Sequence, residues 1–154
     1  MNATRRNVLK GAGGFSALSV AVAAGLLKPT QVLADWNQAG FSATKPADAM
    51  SAIGAAGAAE SKDIVVKAPD IAENGAVVPV EITTTLADVQ SIAILSEKNS
   101  TPLVGQYNLA DFNGFLATRI KMGGTANVRA IVKAGGKYYT AAKEVKVTVG
   151  GCGG

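Results

Sequence analysis

From Asp63 to Val149 the apolar residues recur with a period of two, and the pattern is broken at intervals by turn residues. A helix buries residues three and four apart, so this part of the chain can bury its apolar side chains only as strands. Ile64 to Lys67 reads as a short strand, and Asn74-Gly75 is a turn signal ahead of Val77 to Thr84. In that run Val78, Val80 and Ile82 share one face, opposite Glu81 and Thr83. Pro79 has no N–H to give a ladder, which predicts an edge strand or a bulge there. Val89 to Leu95 is a largely apolar run with Ile92 and Ile94 on one side, and Glu97 to Thr101 turns the chain. Pro102 to Asn108 is a weaker strand, followed by a polar loop, Asp111 to Gly114, that holds Phe112. Phe115 to Met122 alternates again, with Leu116, Thr118 and Ile120 opposite Arg119 and Lys121, until Gly123-Gly124 interrupts it. Asn127 to Lys133 and Lys137 to Val149 are joined by Gly135-Gly136, a tight hairpin, with Val145, Val147 and Val149 pointing inward. About seven strands with regular turns predict a mainly β fold, an immunoglobulin-like antiparallel β-sandwich. The inter-sheet disulfide of antibody domains is excluded, because the chain has one cysteine.

Upstream of the strands the period changes. Pro46 suits a first helical turn, Asp48 places negative charge where the helix dipole favours it, and Met50, Ile53 and Ala56 or Gly57 recur at helical spacing. The spacing predicts a short N-terminal helix from Pro46 to about Ala59, although Gly54 and Gly57 would each cost roughly 1 kcal/mol inside it. Packing on the protein's own sheet is the expected role of this helix, ahead of a partner-facing one. Asp35 to Thr44 reads as an irregular leader whose Trp36 and Phe41 dock on the domain.

The first 34 residues have a different character. Thr4-Arg5-Arg6-Asn7-Val8-Leu9-Lys10 precedes an apolar run rich in Gly, Ala and Ser, and resembles a twin-arginine (Tat) signal peptide. Val32-Leu33-Ala34 offers a cleavage site with Asp35 as the mature start. The run from Gly11 to Leu27 lies at the lower limit for crossing about 30 Å of hydrocarbon, so removal is expected rather than anchoring. The expected organisation is residues 1–34 signal peptide, 35–149 sandwich domain with its helix, and 150–154 a flexible C-terminal arm, in a protein exported to the periplasm with no membrane segment in its mature form. Arg5, Arg6, Lys10 and Lys28 account for the whole net charge of +4, which leaves the mature chain with eleven basic and eleven acidic residues. A neutral mature chain gives no reason to expect nucleic-acid binding.

Two counts then exclude whole classes of chemistry. The chain contains no histidine, which removes Ser-His and Cys-His catalysis and every histidine metal site. Its one cysteine rules out a thiolate zinc site or a Cys-x-x-Cys redox pair. Asp111 and Glu81 could be imagined as an acid–base pair, but nothing in the sequence brings them together. No metal, cofactor or catalytic residue is expected.

The cysteine is placed where it can be used. Cys152 lies between Gly150-Gly151 and Gly153-Gly154, residues that keep side-chain bulk away from the sulfur and leave the backbone almost free. From Val149 to Cys152 the chain reaches roughly 10 Å when extended, enough to enter a cleft on another protein. Lys143 and Lys146 are the nearest cations in sequence, and a solvated strand face is their expected environment. With no cation beside it, the thiol is expected to titrate like an unperturbed cysteine and to be a weak nucleophile by itself.

The Tat-type Thr4-Arg5-Arg6-Asn7-Val8-Leu9-Lys10, the small helix-plus-sandwich domain and the Gly150-Gly151-Cys152-Gly153-Gly154 tail together resemble the SoxY family, the sulfur-carrier subunits of the thiosulfate-oxidising Sox system. The resemblance implies that Cys152 is the covalent attachment site for sulfur intermediates, with Gly150, Gly151, Gly153 and Gly154 as a swinging arm. It also implies a heterodimer with a SoxZ-like subunit. A SoxXA-type cytochrome would load thiosulfate, a manganese-dependent SoxB-type hydrolase would release sulfate, and in some hosts a sulfane dehydrogenase would follow. Three other readings stay open. A thiol peroxidase or reductase would need a resolving partner for Cys152. An exported structural module would dimerise through Cys152. A ubiquitin-like sulfur carrier would use a terminal thiocarboxylate, which the signal peptide argues against.

Overall fold

The computed structural model describes residues 36–148; the signal peptide and the Gly150–Gly154 arm of the sequence reading lie outside them. Two short helices, α1 (Gln38–Ser42) and α2 (Pro46–Ala52), precede nine strands. These are β1 (Ala59–Glu60), β2 (Ile64–Lys67), β3 (Ile71–Ala72), β4 (Val78–Thr84), β5 (Val89–Ser96), β6 (Leu103–Asn108), β7 (Phe115–Ile120), β8 (Ala126–Ala134) and β9 (Lys137–Val147).

The strands form two sheets. The larger runs β1-β9-β8-β5-β6, with β3 pairing the far end of β9, and the smaller runs β2-β4-β7. The β4, β5 and β8 alternations place Val78, Val80 and Ile82 of one sheet against Ile92, Ile94, Val128 and Val132 of the other, all fully buried. Tyr107 Oη lies 3.1 Å from Thr118 Oγ1, a hydrogen bond between β6 and β7 that closes the open side of the sandwich. This is the mainly β, immunoglobulin-like fold expected from the period and turns.

The larger sheet is covered on its second face as well. Ala93, Leu95, Leu103 and Ile131 form a second core with Ala49, Ile53 and Ala55 of the helical segment. The continuous run Ile92–Leu95 follows from this, since a strand buried on both faces cannot alternate. The helix therefore packs on its own sheet, as expected, but it is shorter than its pattern. Gly54 has φ +79° and stands one residue beyond the cap Ile53. Gly54 N donates to Ser51 O at 3.0 Å and Ala55 N to Met50 O at 2.8 Å, the paired bonds of a Schellman stop. Gly54 terminates α2 and so carries no interior penalty.

Two further expectations are corrected. The leader is partly helical: Asn37 Oδ1 accepts from Gly40 N at 2.9 Å as the cap of α1, while its Nδ2 donates to Ala52 O at 2.8 Å at the end of α2. One side chain thus joins two helix ends. Trp36 stacks on Phe41 with ring centres 5.5 Å apart. Pro79 lies in the central strand of the smaller sheet, and no bulge breaks its pairing with β7. Its neighbour β2 pairs only from Glu81 to Thr84, so the chain at Pro79 is an edge locally although β4 as an element is not. The adjacent tyrosines pack on opposite faces of the larger sheet: Tyr139 on the inter-sheet core and Tyr138 on the helical one, under Lys133 Nζ at 5.6 Å.

Candidate functional site at the end of strand β9

β9 leads into the tail, so its last turns define the base on which any use of Cys152 depends. The Gly135-Gly136 hairpin, with φ +53° and +75°, sends β9 back antiparallel to β8 from Ala134↔Lys137 to Ala126↔Val145. Positive φ at both central residues is what a two-residue hairpin of primed type needs. On its other side β9 is held by two pieces too short to read from their sequence. β1 pairs parallel with its start, Ala59↔Tyr139 and Glu60↔Thr140, and β3 with its end, Ile71↔Lys146 and Ala72↔Val147. Between them the chain leaves to form β2 in the opposite sheet and returns.

The exit from β9 is bonded on both flanks. Lys146 N donates to Asp70 O at 3.0 Å and Thr148 N to Ala72 O at 3.1 Å. Thr148 Oγ1 donates to Glu73 O at 3.1 Å, and on the β8 side Val147 N donates to Thr125 Oγ1 at 2.9 Å. The backbone is thus anchored through Thr148, four residues before Cys152 in the sequence. That spacing limits the Cα of Cys152 to about 14 Å from that of Thr148 at full extension.

The sequence reading left Lys143 and Lys146 on a solvated face, and only Lys146 is so placed. Lys143 Nζ donates to Ala68 O at 2.7 Å and pairs with Asp70 Oδ1 at 3.0 Å, which ties the β2–β3 link to β9. It is structural. Cys152, Gly150, Gly151, Gly153 and Gly154 lie outside the described residues. Glu81 sits on the outer face of β4 and Asp111 in the β6–β7 loop at φ +52°; no hydrogen bond joins them. Among the described residues no three His, Cys, Asp or Glu side chains gather as a metal site would require.

The loops around the β9 exit form one end of the sandwich. Asn99 fastens two of them: its Nδ2 donates to Lys121 O at 2.7 Å and its Oδ1 accepts from Gly123 N at 2.8 Å. Met122 N donates to Gly75 O at 2.7 Å and so ties in the β3–β4 turn. Between the β5–β6 and β7–β8 loops lies a groove of about 560 Å³ whose lining includes Lys98, Asn99, Arg119 and Lys121. Neither the groove nor the β3 clamp is legible in the sequence, where the residues concerned are 22 to 75 positions apart.

The fold and the sequence together define a class of small domain: a sandwich with a helical cover on one sheet, whose last strand is followed in the sequence by a glycine-flanked cysteine. The comparisons give that class a family. A family model described as sulfur oxidation protein SoxY matches residues 49–152. The structure of the sulfur carrier protein SoxY from Chlorobium limicola f thiosulfatophilum is similar over 70% of this chain and 95% of that one, at 39% identity and a TM-score of 0.62. The chain belongs to the SoxY family. A superoxide reductase (neelaredoxin) from Ignicoccus hospitalis matches 55% of this chain and 79% of its own at 14% identity and a TM-score of 0.48, too distant to bear on function. No curated protein matches the chain.

Proposed function

We propose that this protein is an exported, non-catalytic carrier that holds thiosulfate-derived sulfur species on Cys152 and presents them to enzymes of a Sox system. The observation that carries the reading is a lone thiol between glycine pairs, four residues beyond Thr148, where the exit from β9 is bonded on both flanks. Loading joins the Cys152 thiolate to the outer sulfur of thiosulfate, giving Cys152–S–S–SO₃⁻ and two electrons for a SoxXA-type cytochrome. Water then attacks the sulfonate in a SoxB-type hydrolase, releasing sulfate and two protons and leaving the persulfide Cys152–S–S⁻. In a host that has a sulfane dehydrogenase, that enzyme is the later consumer of the persulfide. The carrier supplies reach and a fixed base; the partners supply the cations that ionise the thiol and neutralise the adduct.

A SoxZ-like subunit completes the carrier in this reading. The outer face of the smaller sheet supports a bound partner, because Val65, Thr83 and Phe115 stand in one row across its three strands, with Val65 47% and Phe115 49% exposed. Export rests on the Arg5-Arg6 pattern, and Arg5→Lys/Arg6→Lys should leave the protein in the cytoplasm on fractionation.

The deciding measurement is intact mass of the protein purified from thiosulfate-grown cells, followed by Cys152→Ser in a reconstituted pathway. An adduct confined to the terminal peptide and no thiosulfate consumption by the variant are expected. Full consumption by Cys152→Ser would end the carrier reading.

A further inference from the structure

The end of the sandwich from which β9 leaves is electrostatically lopsided. Lys98, Arg119 and Lys121 line its groove, with Asn99, Ser100 and Thr101 between them and no carboxylate in the lining. The mature chain is neutral overall, so three of its eleven cations in one groove is a local excess. Among the described residues the ion pairs are Arg129–Glu97 and Lys143–Asp70, and none of the three groove cations takes part in either. The nearest carboxylate in sequence, Glu97, is already committed: Arg129 Nε donates to it at 2.8 Å and Asn127 Nδ2 at 3.1 Å. Glu81 lies two residues along β4 from Pro79, the register partner of Arg119, and makes no ion pair with it. Glu73 lies on the other flank of the exit, where its carbonyl holds Thr148.

The groove and the exit are joined by short links. Gly123 lines the groove, and Thr125, two residues on, holds Val147 N. Cys152 lies at most about 14 Å from Thr148. An enzyme that takes this sulfur into a recessed site must therefore bring the mouth of that site down onto this end of the sandwich, because the tether is too short for any other approach. The groove cations belong to that same end.

We infer that the Lys98–Arg119–Lys121 groove is a docking surface for acidic side chains around the active-site mouths of the enzymes that receive Cys152. The inference rests on the carrier reading and adds to it the face and the charge of the encounter. Opposite charges across such a rim raise the rate of encounter and fix its orientation more than they tighten the complex. That suits a carrier, which has to leave each enzyme after one step.

The test uses mature protein with its partner subunit in a thiosulfate-consuming extract that lacks its own carrier. The variant Lys98→Gln/Arg119→Gln/Lys121→Gln is expected to need about tenfold more protein for half-maximal rate, with the limiting rate unchanged and the salt dependence flattened. Lys62→Gln/Lys137→Gln, at other surface sites, should behave as the unaltered protein does. Lys121→Gln alone, with a smaller shift in the same direction, serves if the triple variant unfolds early. Unchanged half-saturation and salt dependence in the triple variant would overturn the inference and leave the carrier reading intact. So would calorimetric binding of inorganic sulfate that the triple variant loses while its half-saturation stays the same, since the groove would then be an ion site. Undiminished turnover by Cys152→Ser would instead remove the carrier reading, and with it the ground for this one.

Discussion

Cys152 is chemically ordinary in its local sequence, and that sets expectations for single residues. No cation lies within five residues of it, so its alkylation by iodoacetamide should follow a small model thiol, rising with pH through the usual thiol range. A rate far above the model thiol at pH 7 would mean that the protein activates its own sulfur. In air the purified protein should form a reductant-sensitive dimer that Cys152→Ser abolishes. Elsewhere the informative residue is Gly54. Its φ of +79° is strained for any side chain, and an added Cβ would stand 3.4 Å from Tyr138 Oη. Gly54→Ala should cost about 1–2 kcal/mol in urea unfolding. In the inter-sheet core, Ile82→Ala should cost about 2–5 kcal/mol, because Ile82 is fully buried between the sheets.

Strand β9 does more than any other element to determine what the tail can reach. It is paired along one side by β8 and at both ends of the other side by β1 and β3, so it cannot fray without breaking contacts that are far apart in sequence. Thr125→Val removes the hydroxyl that accepts Val147 N and leaves that amide without a partner, at a cost of about 1 kcal/mol. Amide exchange at Val147 and Thr148 should speed up in this variant while exchange in the Gly135-Gly136 hairpin stays as it was. Equal exchange at all three places would show that the clamp does not hold the strand end. Helix α2 illustrates how an element departs from its pattern. The helical spacing runs on to Gly57, yet the Schellman bonds stop the helix at Ala52. A glycine inside an apolar period can be an ending as easily as an interruption, and the positive φ that distinguishes the two is a property of the backbone alone.

At the scale of the whole molecule the two cores share the β5–β8 strand pair, since Ile92, Ile94 and Val132 face one core while Ala93, Leu95 and Ile131 face the other. The helical cover and the sandwich should therefore unfold together. Trp36, the only tryptophan, stacks on Phe41 in the cover and reports on it by fluorescence, while far-ultraviolet circular dichroism follows the strands. The two transitions should coincide, in the unaltered protein and in Leu95→Ala alike. An earlier fluorescence change would mean that the cover is a separate unit. The alternation of Val78 to Ile82, the paired glycines of the hairpin, the absence of histidine and the glycine-flanked cysteine are all local facts, and from them followed the strand faces, the fold class and the chemistry available to the tail. They followed because side-chain period and turn preference act between near neighbours. Which strands lie side by side, where two-residue strands such as β3 attach, why Lys143 is bound to Asp70, and that Lys98, Arg119 and Lys121 gather beside the strand from which the tail departs were settled by folding. Those arrangements join positions tens of residues apart, and a local pattern records the face a residue presents but not the distant neighbour it meets.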